Sequence, residues 1–181
     1  MAKSTARHYV NNKDFYEALV NYRNARLEAE RTNDPPPKIP DYIGECIYKI
    51  AYKLASKGNF CNYTYKDEMI SDGIENCINY LNSFNPDRTN NPFAYFTRVL
   101  WNAYVLRIHK EKKQTYIKYK ALEEAALFGD FDTGSHSNTE MDINDNMKAF
   151  VRDYEKKLTE KKQKTANLEV IFETGESNEA G

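Results

Sequence analysis

The chain has 181 residues, 26 Lys and Arg against 27 Asp and Glu, a formal net charge of −1, and 40% hydrophobic and 29% charged residues. That describes one soluble globular domain with appendages, and it excludes a membrane protein, because no apolar run approaches the ~20 residues a bilayer span needs. Three scattered cysteines (Cys46, Cys61, Cys77) and three scattered histidines lead to the expectation of reduced thiols with no disulfide frame and no structural zinc, and the first residues show no apolar signal core, so a cytosolic protein is expected.

Seven glycines and six prolines are few, and the expected fold class is all-α. From Asn12 to Arg31, Phe15, Ala18, Leu19, Tyr22, Ala25 and Ala29 recur at helical spacing. Residues 33–40, "NDPPPKIP", cannot be helical, since consecutive prolines lack amide donors and clash with the preceding turn. They read as a stiff extended linker. A second helix is expected from Asp41 to Lys57, with Ile43, Ile47, Ile50, Ala51 and Leu54 on one face and Gly58 as its stop. A third, Lys66 to Ser83, buries Met69, Ile70, Gly73, Ile74, Cys77, Ile78 and Leu81 and gathers acids in its first turns, where the helix dipole favours them.

A fourth helix should open with Asn91 as cap and Pro92 at the first helical position, and run to about Lys120. Residues 129–139, rich in Gly, Ser and Asp, read as a loop. Residues 141–164 read as a weakly apolar helix with Met147, Phe150, Val151, Tyr154 and Leu158 as its stripe. Residues 165–181 are expected to be a flexible acidic tail around one apolar cluster, Leu168, Val170, Ile171 and Phe172. The expected domains are therefore 1–120, 121–164 and 165–181.

The neutral total hides charged blocks. Residues 1–66 sum to +4, 67–87 to −5, 88–120 to +7 and 121–181 to −7. The positive block carries rings among its cations: Tyr95, Phe96, Trp101 and Tyr104 with Arg98, Arg107, Lys110, Lys112 and Lys113. Such interleaving suits single-stranded or melted nucleic acid, because rings stack on unpaired bases while cations follow phosphates. The plain alternative is that the rings are core residues and the charges a solvated face.

The order of features from Glu68 to Arg107 resembles the second conserved region of bacterial sigma factors. "EMISDGIENCINYLNSFNPDR" resembles that family's Asp-Leu-Ile-Gln-Glu-Gly helix and its Lys-Phe-Asp-Pro-Glu-Arg turn, and "FAYFTRVLWNAYVLRIHKEKK" resembles the helix that follows. A narrower resemblance is to the late-transcription sigma factors of T-even-type bacteriophages. It rests on "YVNNK", "EMISDGIE", "NPFAYFTRVLWNAYVLRIHKEKK" and the tail "LEVIFE", and is strongest from Tyr9 to Lys113.

The resemblance implies a compact helical region-two-like domain with an extra N-terminal helix, no catalysis and no cofactor. Glu68, Ser71, Asp72 and Glu75 match positions that dock on core RNA polymerase, and an acidic face can meet a basic coiled coil with steering and register. Tyr95 matches a tyrosine that stacks on a flipped promoter base. The adjacent tryptophan pair of housekeeping members is absent, Arg98 and Val99 standing there, which leaves Phe96, Trp101 or other factors to open the strands. Asn102 falls where the family reads a base with glutamine, and its amide can still donate and accept at a base edge. Arg88, Arg107, Lys110, Lys112 and Lys113 would hold phosphates.

The chain is too short for the helix-turn-helix that reads an upstream promoter element. The phage relatives tether instead to the replication sliding clamp, which implies Leu168, Val170, Ile171 and Phe172 as the anchor. The implied partners are host core RNA polymerase, promoter DNA, the sliding clamp and a late-transcription coactivator, in the cytoplasm of an infected bacterium. Two other classes compete: a single-stranded or duplex nucleic-acid binder without polymerase, and a nuclease using Asp72 and Glu75 for magnesium with His109 or Lys110 nearby. For the nuclease no third ligand is evident.

Overall fold

The structure is a computed structural model that describes residues 9–127 and 138–175, with side chains over 9–125 and 145–164. Among the described residues it is all-helical: α1 (Asn12–Thr32), α2 (Asp41–Ala55), α3 (Lys66–Asn79), a 3-10 turn (Leu81–Ser83), α4 (Pro92–Leu127) and α5 (Asn138–Gly175). None of these helices is long and apolar enough to cross a membrane. The chain divides into two units, Met1–His109 and Lys110–Gly181, and α4 contributes residues to both.

In the first unit the element boundaries follow local chemistry. Asn11 caps α1 by accepting from the Lys13 N–H at 3.1 Å, and the helix ends at Asn33, whose φ of 59° is a left-handed conformation that asparagine tolerates. The prolines then keep residues 34–40 out of any helix. α2 stops at Ala55 rather than the expected Lys57: the Ser56 N–H still reaches the Tyr52 carbonyl, but the Lys57 N–H turns to the Leu54 carbonyl at 3.1 Å, a tighter bond that closes the last turn. α3 stops at Asn79 rather than Ser83, and its last turn tightens into the 3-10 segment.

α4 begins at Pro92 as expected, with the Asn91 side chain accepting from the Ala94 N–H at 3.0 Å. It continues past the expected Lys120 to Leu127, through "ALEEAAL", a run of strong helix formers.

The apolar stripes converge on one core. The expected α2 set, Ile43, Ile47, Ile50, Ala51 and Leu54, is entirely buried, and meets Phe15 and Leu19 of α1, Met69 and Cys77 of α3, and Leu100 of α4. Burial of each large aliphatic or aromatic side chain contributes about 1.5–3 kcal/mol relative to leaving it in water. Ile78 departs from its expected place and is exposed, while Ile74 is only half-buried.

Two positions set how closely α3 and α4 approach. A Cβ on Gly73 would lie 2.6 Å from Tyr104 Cε1 and 2.8 Å from Leu100 Cδ2, so the absence of a side chain there is what admits the Tyr104 ring. Tyr104 is fully buried, and its hydroxyl donates to the Ala51 carbonyl at 2.9 Å, which ties α4 to α2. Burial pushes its phenol well above the ordinary range.

The second unit contains residues 110–127 of α4 together with α5. Tyr116 stacks on Tyr154 with centroids 4.6 Å apart, and Tyr119 meets Phe150 edge-on at 5.6 Å, so the paired residues run antiparallel. The Tyr116 hydroxyl donates to Glu155 Oε1 at 3.0 Å, and Lys120 Nζ lies 3.3 Å from the same carboxylate. The stripe expected on 141–164 thus has a partner. Val151 is buried, Phe150 and Tyr154 are half-buried, and Leu158 is exposed.

The tail departs from expectation. Instead of the expected flexible segment, the backbone from 165 to 175 belongs to α5, and no proline or glycine interrupts the chain between Asn138 and Thr174. The side chains of Leu168, Val170, Ile171 and Phe172 lie outside the described residues.

Candidate functional site

α3 presents acids on one side and core on the other. Met69, Ile70, Gly73 and Cys77 are buried, whereas Glu68, Ser71 and Glu75 are exposed. The Ser71 hydroxyl turns back to donate to the Asp67 carbonyl at 3.0 Å. Asp72 differs from its neighbours: its Oδ2 lies 3.0 Å from Arg107 Nη1, with the two side chains 37% and 17% exposed. This corrects two expectations. Asp72 is not simply a free acid awaiting a partner, and Arg107 is turned toward α3 rather than outward to a phosphate.

The turn between α3 and α4 is organised by Asn85. Its Oδ1 accepts from the Asp87 N–H at 2.9 Å, and its carbonyl accepts from the Arg88 and Thr89 N–H groups at 3.2 Å each. Arg23 of α1 reaches this turn, with Nη1 3.4 Å from Asp87 Oδ2. A second contact from α1 sits at the start of α4, where Asn12 Oδ1 accepts from the Phe93 N–H at 3.0 Å. Nothing in the local sequence pairs Asn12 or Arg23 with residues this far along the chain. Arg88 is exposed at the end of the turn.

The rings of α4 divide. Phe96 is 0% exposed, between Phe15 at 5.5 Å and Phe84 at 6.2 Å, so it is a core residue and offers no face to a base. That corrects its assignment to DNA binding; Tyr104, another ring of the positive block, is likewise buried in the core. Tyr95 is half-buried. Its hydroxyl donates to the Tyr80 carbonyl at 3.1 Å, and its ring meets Phe84 and Phe96 edge-on at 5.3 and 5.0 Å. Burial holds its phenol above the ordinary range.

The outward residues of this part of α4 are Arg98, Trp101 and Asn102. All three are exposed, and their spacing of three and four places them on one helix face. Trp101 is 39% exposed and braced by Phe60, whose ring it meets edge-on at 4.8 Å. Phe60 also meets Tyr104 at 5.2 Å, so the loop after α2 supports the tryptophan from below. An indole fixed in this way, beside a guanidinium and an amide, can stack on a base, pair with a phosphate and bond a base edge.

In the second unit, Lys110, Lys112 and Lys113 are exposed on α4. Among the described residues no group of three or more His, Cys, Asp or Glu is placed to hold a metal ion. Compared with models of known protein families and with curated proteins, the chain matches none.

Proposed function

We propose that this chain is a sigma-type transcription initiation factor of the late-transcription class found in T-even-type bacteriophages. It binds host core RNA polymerase, engages a short minus-ten-type promoter element and holds the opened strand. The observation that supports this reading best is the pairing of two unlike surfaces on successive helices of one packed unit. Glu68, Ser71 and Glu75 face outward from α3, and Arg98, Trp101 and Asn102 face outward from α4. An acidic face suits a basic docking partner, and a ring flanked by Arg and Asn suits an unpaired strand.

In this reading the protein has no catalytic role. The polymerase contact is made by Glu68, Ser71 and Glu75, with Asp72 held beside them by Arg107. The strand contact belongs to Trp101, Asn102 and Arg98, with Tyr95 at its edge and Arg88, Lys110, Lys112 and Lys113 as phosphate contacts. The cluster at 168–172 is the anchor for the sliding clamp.

The deciding experiment is run-off transcription by purified core polymerase from a late-type promoter, with and without this protein, alongside capture of core enzyme on the immobilised chain. A sigma-type factor gives specific transcripts and retains polymerase. A nucleic-acid binder of any other kind binds DNA and does neither.

A further inference from the structure

Away from α3 and α4, the outward side of α2 carries a second aromatic group. Tyr48 and Tyr52 are 54% and 49% exposed, and their rings are stacked with centroids 6.3 Å apart at 21°. Neither is needed by the core, which takes Ile43, Cys46, Ile47, Ile50, Ala51 and Leu54 from the opposite side of the same helix.

Along α2 the charge changes sign from one end to the other. The acids of α2, Asp41 and Glu45, lie in its first half, and Glu45 is already paired with Lys49 at 3.0 Å. Beyond them Lys53 and Lys57 are exposed, and Lys66 Nζ sits 5.6 Å from the centre of the Tyr52 ring. None of these three ammonium groups is paired with a carboxylate among the described residues.

We infer that the Tyr48–Tyr52 face of α2 is a stacking platform for a single strand of nucleic acid. A base laid on Tyr48 extends the two-ring stack to a third ring, and Lys53, Lys57 and Lys66 stand ready to meet the adjoining phosphates. Duplex DNA fits less well, since its bases present no open ring face. An acidic protein would use the lysines and gain little from two parallel rings. The inference goes beyond the initiation-factor reading and does not depend on polymerase.

The test uses the full chain, each variant made with and without Trp101→Ala so that the α4 face is silenced in one series, and a fluorescein-labelled, mixed-sequence single-stranded DNA of about 20 nucleotides, followed by fluorescence anisotropy. Loss of stacking on the platform lowers affinity about ten-fold or more in Tyr48→Ala/Tyr52→Ala, while Tyr48→Phe/Tyr52→Phe, which keeps the rings, stays within about two-fold of wild type. Lys53→Glu/Lys57→Glu lowers affinity and flattens its salt dependence, as expected when phosphate contacts are lost. Wild-type binding by the double alanine variant, or no binding of the strand by the wild-type chain, overturns the inference. Unchanged strand binding with lost polymerase capture also overturns it, and makes the face a protein contact. If the wild type fails to capture polymerase, the initiation-factor reading falls and the strand-binding result stands by itself.

Discussion

Arg107 Nη1 lies 3.0 Å from Asp72 Oδ2, so the acidic helix α3 and the basic helix α4 are joined by an ion pair across their packed faces. The pair changes how the acidic surface must be tested. Asp72→Lys sets a second cation against Arg107 and is expected to cost about 1–3 kcal/mol of stability through a lost charged hydrogen bond. Glu68→Lys/Glu75→Lys alters only exposed positions and is expected to leave urea unfolding unchanged while abolishing capture of core polymerase. Full capture by that folded double variant would remove α3 from the docking surface.

The Gly73–Tyr104 approach gives a prediction about packing alone. Gly73→Ala brings about 1 kcal/mol of helix propensity, but its methyl falls 2.6 Å from Tyr104 Cε1. Overpacking of this kind costs about 1–3 kcal/mol, and the neighbour that must give is a fully buried ring held by its hydroxyl. Net destabilisation in urea is therefore expected. Tyr104→Phe should cost about 1–2 kcal/mol by a different route, because the Ala51 carbonyl loses the donor.

On α4 the exposed tryptophan, and not the half-buried tyrosine, offers the cleaner functional variant. Trp101→Ala removes a ring braced at one edge by Phe60, and is expected to cost about 1 kcal/mol of stability and about ten-fold in single-strand affinity. Tyr95→Ala opens a gap beside Phe84 and Phe96 and should destabilise the fold by about 3 kcal/mol or more. Any loss of promoter opening in that variant must be read against its folded fraction. Unchanged strand affinity on adding Trp101→Ala to the Tyr48→Ala/Tyr52→Ala protein would take this face out of DNA binding.

The three thiols should separate by access. Cys61 is exposed, and Cys46 and Cys77 are buried, so a thiol reagent should modify one site quickly and the other two only as fast as the protein opens. Burial pushes the Cys77 thiol from an ordinary 9.0 up to about 12. A folded-state value raised above the unfolded one means the contribution to stability is complete below about pH 9. It is lost progressively as pH rises toward 12, because the unfolded chain gives up its proton first. The thermal midpoint should therefore fall on the alkaline side, and less steeply in Cys77→Ala. Identical alkaline slopes in the two proteins would contradict the burial.

Deleting residues 168–181 is expected to leave basal initiation intact and to remove activation by a loaded sliding clamp. A short promoter contact gains from a partner already on the same DNA, because encounter becomes intramolecular at an effective concentration on the order of mM. Run-off transcription with and without clamp reads both effects. Loss of basal transcripts would show instead that this end of α5 supports the fold.

Much of the architecture is local, and local sequence determined it. Asn91 caps the helix that Pro92 opens, three consecutive prolines keep the chain after α1 out of a helix, and the α2 stripe at Ile43, Ile47, Ile50 and Leu54 buries one face. The separation of acidic from basic surface was also legible, since charge blocks need no contacts to be read. What the rings do was not. Phe96, Tyr104 and Trp101 share one helix, and their spacing suits a core as well as a stacking surface. Phe15 and Phe84 close over Phe96, Gly73 leaves the space that Tyr104 fills, and Phe60 props Trp101 outward. The Asp72–Arg107 pair and the contacts from Asn12 and Arg23 are of the same kind. Each joins residues 35 or more positions apart, where periodicity carries no information and only the packing of one helix on another decides.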